Sequence, residues 1–288
     1  MQKFRTISVE DKHLKAPPNM PHYEKAYRDY DLAEWARGEI EYFEDGKLNA
    51  AYNAVERHAR NENKNKIAFY LLDENFFETK LTFFELNRLT NQFANFLKSL
   101  GIEKGDRVFF FLPRNVTVFY GFLGTLKIGA IAGTMFSAFG SAALYDRLEN
   151  SGAKVLITTT ELLPRLKNIR RKLPELKHVI TVKELETILP KQSDEARCAH
   201  TAPTDPAFML YTSGTTGKPK GVVHAHQTIL SQHLPAKHVL DLKPDDVYWC
   251  TADPGWVTGV AYQILGTLSN AASTVIYAGR FDPKTWYR

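Results

Sequence analysis

The stretch Ala207-Phe-Met-Leu-Tyr-Thr-Ser-Gly-Thr-Thr-Gly-Lys-Pro-Lys-Gly221 begins as a strand and ends as a loop suited to phosphate. Ala207 to Thr212 is an apolar run of the length of a buried strand. Directly on it follow hydroxyls at Thr212, Ser213, Thr215 and Thr216, glycines at Gly214, Gly217 and Gly221, and lysines at Lys218 and Lys220. Glycine permits close backbone approach and unusual dihedrals, so such a loop can turn N–H groups, hydroxyls and two ammonium groups toward a polyphosphate. A plain surface turn needs neither two lysines nor four hydroxyls. The spacing is not that of a Walker loop, because Thr212 and Pro219 stand where a glycine and a Ser or Thr belong. Gly-x-Gly occurs nowhere in the chain, which removes the dinucleotide fingerprint.

Outward from this loop, strands alternate with helices. Lys66 to Asp73 is β-rich, and Thr82-Phe83-Phe84-Glu85 is a capping-box pattern that starts a helix. Leu86, Leu89, Phe93, Phe96, Leu97 and Leu100 recur at three-and-four spacing on it, and Gly101 is placed to end it. Arg107 to Pro113 reads as a strand buried on both faces, followed by a helical segment through about Ala130. Val155 to Thr159 and Val179 to Val182 are further strands with a helical stretch between them, and Lys183 to Pro206 reads as a polar connection. After it, Val247 to Asp253 and Ser273 to Ala278 continue the series of strands. Such alternation implies crossover units and a mostly parallel α/β fold.

Composition narrows the function classes. A chain of 288 residues with 44% apolar and 24% charged residues is ordinary globular protein, of about two domains. Two cysteines, Cys198 and Cys250, exclude a disulfide scaffold and a cysteine-rich zinc fold. Thirty-seven basic against 32 acidic residues give a mild +5, with neither aromatic interleaving nor a known module to suggest nucleic acid. Met1 to His13 has no apolar core of a signal peptide, so a cytoplasmic protein is expected. Ile128 to Tyr145 lacks charge, but Gly129, Gly133 and Gly140 with Thr134, Ser137 and Ser141 suit a helix end, strand and loop better than a membrane span. His224 and His226 have no third ligand at metal spacing and read as packing residues; no metal site is expected.

Residues 212 to 221 match the signature phosphate loop of the adenylate-forming superfamily, which the sequence resembles at this point. That superfamily comprises acyl-CoA synthetases, luciferases and peptide-synthetase adenylation domains. The resemblance implies that Thr212, Ser213, Gly214, Thr215, Thr216, Gly217, Lys218 and Lys220 hold the β- and γ-phosphates of ATP. Asp246 to Gly259, reading Asp-Val-Tyr-Trp-Cys-Thr-Ala-Asp-Pro-Gly-Trp-Val-Thr-Gly, is similar to the acetyl-CoA synthetase branch. By that resemblance Trp256, Val257 and Thr258 line the acyl pocket, and Arg165, Lys167 and Thr258 are candidates for coenzyme A. The Phe-Gly-Gly-Phe of that branch is here Phe136-Ser-Ala-Phe139. A solvated helix face is the other reading of the basic cluster Arg165, Lys167, Arg170, Arg171 and Lys172.

The resemblance implies the large N-terminal domain of an adenylate-forming enzyme, two stacked βα lobes incomplete at the C-terminus. Residues 1–48 would be an extension, 49–200 a first lobe and 201–288 a second lobe carrying the phosphate loop. The implied activity is that of the N-terminal part of an AMP-forming acetate–CoA ligase, with ATP and coenzyme A as substrates and Mg²⁺ alongside. Its adenylation lysine is expected beyond Arg288. A propionyl or other short-chain acyl-CoA synthetase, and a non-catalytic nucleotide-binding module, are the alternatives.

Overall fold

Ten strands pair into two sheets in the computed structural model, which describes residues 16–213, 217–279 and 282–286. The strands, in chain order among the described residues, are β1 (Ile67–Leu72), β2 (Glu78–Thr82), β3 (Arg107–Leu112), β4 (Ile131–Phe136), β5 (Val155–Thr158), β6 (His178–Thr181), β7 (Pro206–Thr212), β8 (Lys220–Ala225), β9 (Val247–Tyr248) and β10 (Ser273–Tyr277). One sheet has the order β6-β5-β3-β4-β7-β8, the other β2-β1-β10-β9. Pairing is parallel except at β1–β2 and β7–β8. Each sheet takes strands from both sides of residue 200.

Alternation along β3 builds two cores. Val108, Phe110 and Leu112 point into the main core, while Phe109 and Phe111 point to the opposite face, against Met135, Leu144, Leu148 and Leu156. Gly133 makes room for this arrangement, since a Cβ there would lie 2.3 Å from the Phe109 ring. The capping box at Thr82 is formed in full and starts the helix Phe83–Ser99, which buries Leu86, Phe93, Phe96 and Leu97. The uncharged stretch from Ile128 resolves into a helix end, β4 and the start of the helix Ser141–Ser151. No described helix is long and apolar enough to cross a membrane.

Several local expectations need correction. Lys183 to Pro206 is not all connection: Thr181 and Glu184 form a second capping box that starts the helix Val182–Ile188. Between β5 and β6 the helical stretch amounts to two 3₁₀ turns, Leu163–Leu166 and Arg170–Lys172, the first containing Pro164, which has no N–H to give. The strand expected over Val247 to Asp253 stops at Tyr248. Beyond it, the Gln263 side chain donates to the carbonyls of Cys250 and Ala252, the latter at 2.7 Å, so these carbonyls are satisfied by an amide instead of a sheet ladder. Lys220–Ala225, of which only Lys220 and Gly221 were read from sequence, as the end of the loop, returns as β8 antiparallel to β7.

Asn19, Trp35 and Glu39 pack against the segment 233–242. Asn19 donates through its side chain to the carbonyls of Lys237 and Leu242, and Trp35 lies 4.4 Å from His238. Glu39 bridges His233, at 2.9 Å, and Lys237.

Candidate functional site

Parallel strands β3, β4, β5 and β7 end on one edge of the six-stranded sheet, so the loops after Leu112, Phe136, Thr158 and Thr212 gather there. In open α/β sheets this carboxyl edge is where ligands bind. The sequence pointed to residues in three of these loops.

The loop expected to hold phosphate leaves β7 at Thr212 and Ser213, both exposed, and returns through Gly217, Lys218 and Lys220, also exposed. Gly214, Thr215 and Thr216 lie outside the described residues. Gly217 has φ +93°, a conformation that suits glycine. Register pairs Thr212 with Lys220, so the loop is the tip of a hairpin whose two arms belong to the sheet. The arm before the loop is anchored by Tyr211, whose hydroxyl donates to Asn150 at 2.8 Å and to the carbonyl of Arg147 at 3.1 Å. Burial pushes this phenol up to about 12, so it stays a neutral donor at neutral pH.

Asp253 to Gly259 forms a tight turn. The Asp253 carboxylate accepts the Gly255 N–H at 2.8 Å and its carbonyl accepts the Trp256 N–H at 2.9 Å. Burial pushes the Asp253 carboxyl above the usual aspartate range, against the Gly255 N–H and the charge of Arg114. Gly259 is needed at the close of the turn, because a Cβ there would lie 2.4 Å from the Asp253 carbonyl oxygen. Trp256, Val257 and Thr258 are all exposed, Trp256 at 61%. The indole still meets Phe136 edge-on, ring centroids 5.1 Å apart, and Phe136 in turn meets Phe139 at 5.3 Å. The turn and the segment after β4 are thus one continuous aromatic surface.

Arg165 turns inward to that segment. Its guanidinium donates to the carbonyls of Ser137 and Phe139, the latter at 2.9 Å, and lies over the Phe111 ring. Lys167, two residues on, is exposed. Arg147, which sequence reading passed over, stacks on Phe139 at 4.1 Å and on Tyr211 at 5.7 Å, joining the β4 loop to the phosphate-loop strand. Thr134 was missed too: its buried hydroxyl donates to the Pro254 carbonyl at 2.6 Å. No local motif marks either residue; each is found only by the alternation of its element and by what folds opposite.

His224 stacks on Phe208 at 4.4 Å, and His226, fully buried, accepts the Ala50 N–H at 3.1 Å. Burial holds His226 down at about 4. Among the described residues no group of three His, Cys, Asp or Glu side chains is placed to hold a metal ion.

Comparison with known proteins adds the family. The sequence profile described as "AMP-binding enzyme" matches residues 55–288. An acetyl-coenzyme A synthetase of Bacillus subtilis is 46% identical over 96% of this chain and 50% of its own length. Another, of Methanothrix thermoacetophila, is 36% identical over 87% of this chain and 42% of its own. The crystal structure of a Brucella canis acyl-CoA synthetase superposes with a TM-score of 0.83 at 27% identity, covering 92% of this chain and 49% of that one. The chain spans about half the length of the curated relatives it matches. By the match of its sequence over residues 55–288, the chain belongs to the AMP-binding enzyme family.

Proposed function

We propose that this chain carries the phosphate- and acyl-binding part of an AMP-forming acetate–CoA ligase that works on soluble small molecules in the cytoplasm. The observation that carries the reading is convergence: the hydroxyl- and lysine-bearing hairpin tip after β7 and the segment after β4, against which the Trp256 turn packs, lie on the same carboxyl edge of one sheet.

A carboxylate is a poor electrophile, because its charge repels nucleophiles and its oxygen leaves badly. In the proposed reaction a carboxylate oxygen attacks the α-phosphorus of ATP. The bond from that phosphorus to its bridging oxygen breaks, and pyrophosphate takes the electron pair. The thiolate of coenzyme A then adds to the acyl carbon, AMP leaves, and the thiol proton passes to solvent. Positioning and neutralisation of charge supply most of such a barrier reduction. Lys218 and Lys220, with the hydroxyls of Thr212, Ser213, Thr215 and Thr216, would meet the β- and γ-phosphates. Trp256 and Val257 would close the acyl pocket to all but short acids, acetate first and propionate next. Lys167, with Thr258, would face coenzyme A, while Arg165 would shape its path by holding the 137–139 backbone. Any Mg²⁺ would come with the nucleotide.

The test joins residues 1–288 to the second half of a full-length relative and follows acid-dependent exchange of pyrophosphate into ATP. Exchange with acetate above propionate, and none without acid, is expected. A folded chimera without acid-dependent exchange overturns the proposal.

A further inference from the structure

Thr134 and Phe136 stand two residues apart on β4 and therefore face the same side of the six-stranded sheet. Ala132, on the same side, belongs to the core that also holds Phe69 and Ile276 of the other sheet, whose edge strand β9 precedes the Asp253–Gly259 turn. Both residues engage the turn. The Thr134 hydroxyl donates to the Pro254 carbonyl at 2.6 Å, across 120 positions of sequence. Thr134 is 4% exposed, so the bond is shielded from water. Phe136 lies against the next residue: a Cβ on Gly255 would be 3.1 Å from both its backbone nitrogen and its ring. One position further, the Phe136 ring meets Trp256.

The other bonds of the turn among the described residues come from within it or from its own chain on either side, the Val260 N–H donating to the Trp256 carbonyl at 3.2 Å and the Cys250 thiol lying 4.0 Å from that of Thr258. Asp253 ties down Gly255 and Trp256, and Gly259 packs on the Asp253 carbonyl. These fix its shape without fixing where it sits relative to the six-stranded sheet. Valine at position 134 would fill about the same volume on β4, and the Pro254 carbonyl would then lose its buried donor.

We infer that Thr134 is a positioning residue that sets the placement of the Trp256–Thr258 turn over the end of β4, and thereby the length of acid the site accepts. It touches no reacting atom in this arrangement and acts through Pro254. The second half of the inference rests on the reading of this turn as the acyl pocket; the first half does not.

Two measurements separate the halves. In residues 1–288 labelled with 5-fluorotryptophan, the ¹⁹F resonance of Trp256 is assigned through Trp256→Phe. Thr134→Val should shift or split that resonance and leave those of Trp35 and Trp249 in place, while Thr134→Ser, which keeps the hydroxyl, should restore it. An unmoved Trp256 resonance in Thr134→Val overturns the positioning role. In the chimera used for exchange, Thr134→Val should change the propionate-to-acetate ratio of kcat/KM by about five- to tenfold, the worth of a buried hydrogen bond, with the KM for ATP held within about twofold. Thr134→Ser should keep the wild-type ratio. An unchanged ratio beside a moved resonance overturns the link to acid length. Loss of all exchange in the unmutated chimera, with the resonance shift intact, overturns the acyl reading and leaves the positioning role standing.

Discussion

Tyr211 and Asn150 are joined by a 2.8 Å hydrogen bond that fastens the strand entering the 213–219 loop to the helix Ser141–Ser151. Tyr211→Phe keeps the ring on Arg147 and removes only the hydroxyl. We expect a loss of about 0.5–1.5 kcal/mol in urea unfolding, the usual net worth of such a bond. A variant as stable as the parent would show that the anchor lies elsewhere. Because the phenol is raised by burial, its contribution is present below the ordinary tyrosine range and fades as pH climbs toward about 12.

Lys220 sits on the returning arm of the hairpin, exposed and in register with Thr212. A charge-assisted bond to phosphate is worth about 1.5–3 kcal/mol, so Lys220→Ala should lower kcat/KM for ATP in the chimera by roughly ten- to 150-fold. Exchange kinetics equal to the parent's, in a folded variant, would remove Lys220 from the phosphate site.

Lys127 is fully buried, its ammonium nitrogen set among oxygens: Glu56 at 2.9 Å, Asn87 at 2.8 Å and Asn91. Although burial works against ionisation of Glu56, Lys127, the Cys198 thiol and Arg60 hold its carboxyl below the usual range. Lys127→Met takes from the Glu56 carboxylate its buried cation and leaves it the half-exposed Arg60 and the Cys198 thiol, and a loss of about 3 kcal/mol is expected. Adding Glu56→Gln should return part of it. A double variant no better than Lys127→Met would mean that packing around the lysine stem, not the charge pair, carries the effect.

His226 gives the fold an acid-sensitive point. Its imidazole, at about 4 in the folded chain, stands near 6.5 when unfolded. The unfolded chain therefore takes up a proton first, and stability present above pH 6.5 drains away as pH falls toward 4. The full shift corresponds to about 3 kcal/mol. His226→Gln should flatten the denaturation midpoint against pH across this window; an unchanged slope would assign the acid limb to other groups, such as His58.

Legibility in the sequence followed the range of the interaction. The capping box at Thr82 and the both-face apolar strand at Arg107 are local patterns, and both elements stand where the residues put them. Thr181-x-x-Glu184 carries the same signature but straddles the strand read over Val179 to Val182 and the polar stretch from Lys183, so the helix behind it read as linker. Val247 to Asp253 has the composition of a strand, and only Gln263, ten residues past its end, decides that it is not one. At the site, the loop and the Trp256 turn announce themselves by residue type. Arg165 announced a cation but not its direction, since two backbone carbonyls contributed by another element draw it inward. Thr134 gave no signal, because a threonine in a strand is unremarkable until the residue opposite is known.

The pairing of β1 with β10 has a consequence for how the molecule comes into being. Ser273 bonds back to Ile67, 206 residues earlier. At a synthesis rate of about 5–20 residues per second, the β1–β2 hairpin leaves the ribosome some ten to forty seconds before its parallel neighbour exists. Through that interval one side of β1 has no strand to meet, and Phe69, later wholly enclosed, lacks part of its cover. The six-stranded sheet can be completed once β8 has emerged, so it is the earlier of the two to close. Newborn chains are thus half-sealed for a time, with one flank of β1 open until its parallel neighbour is made.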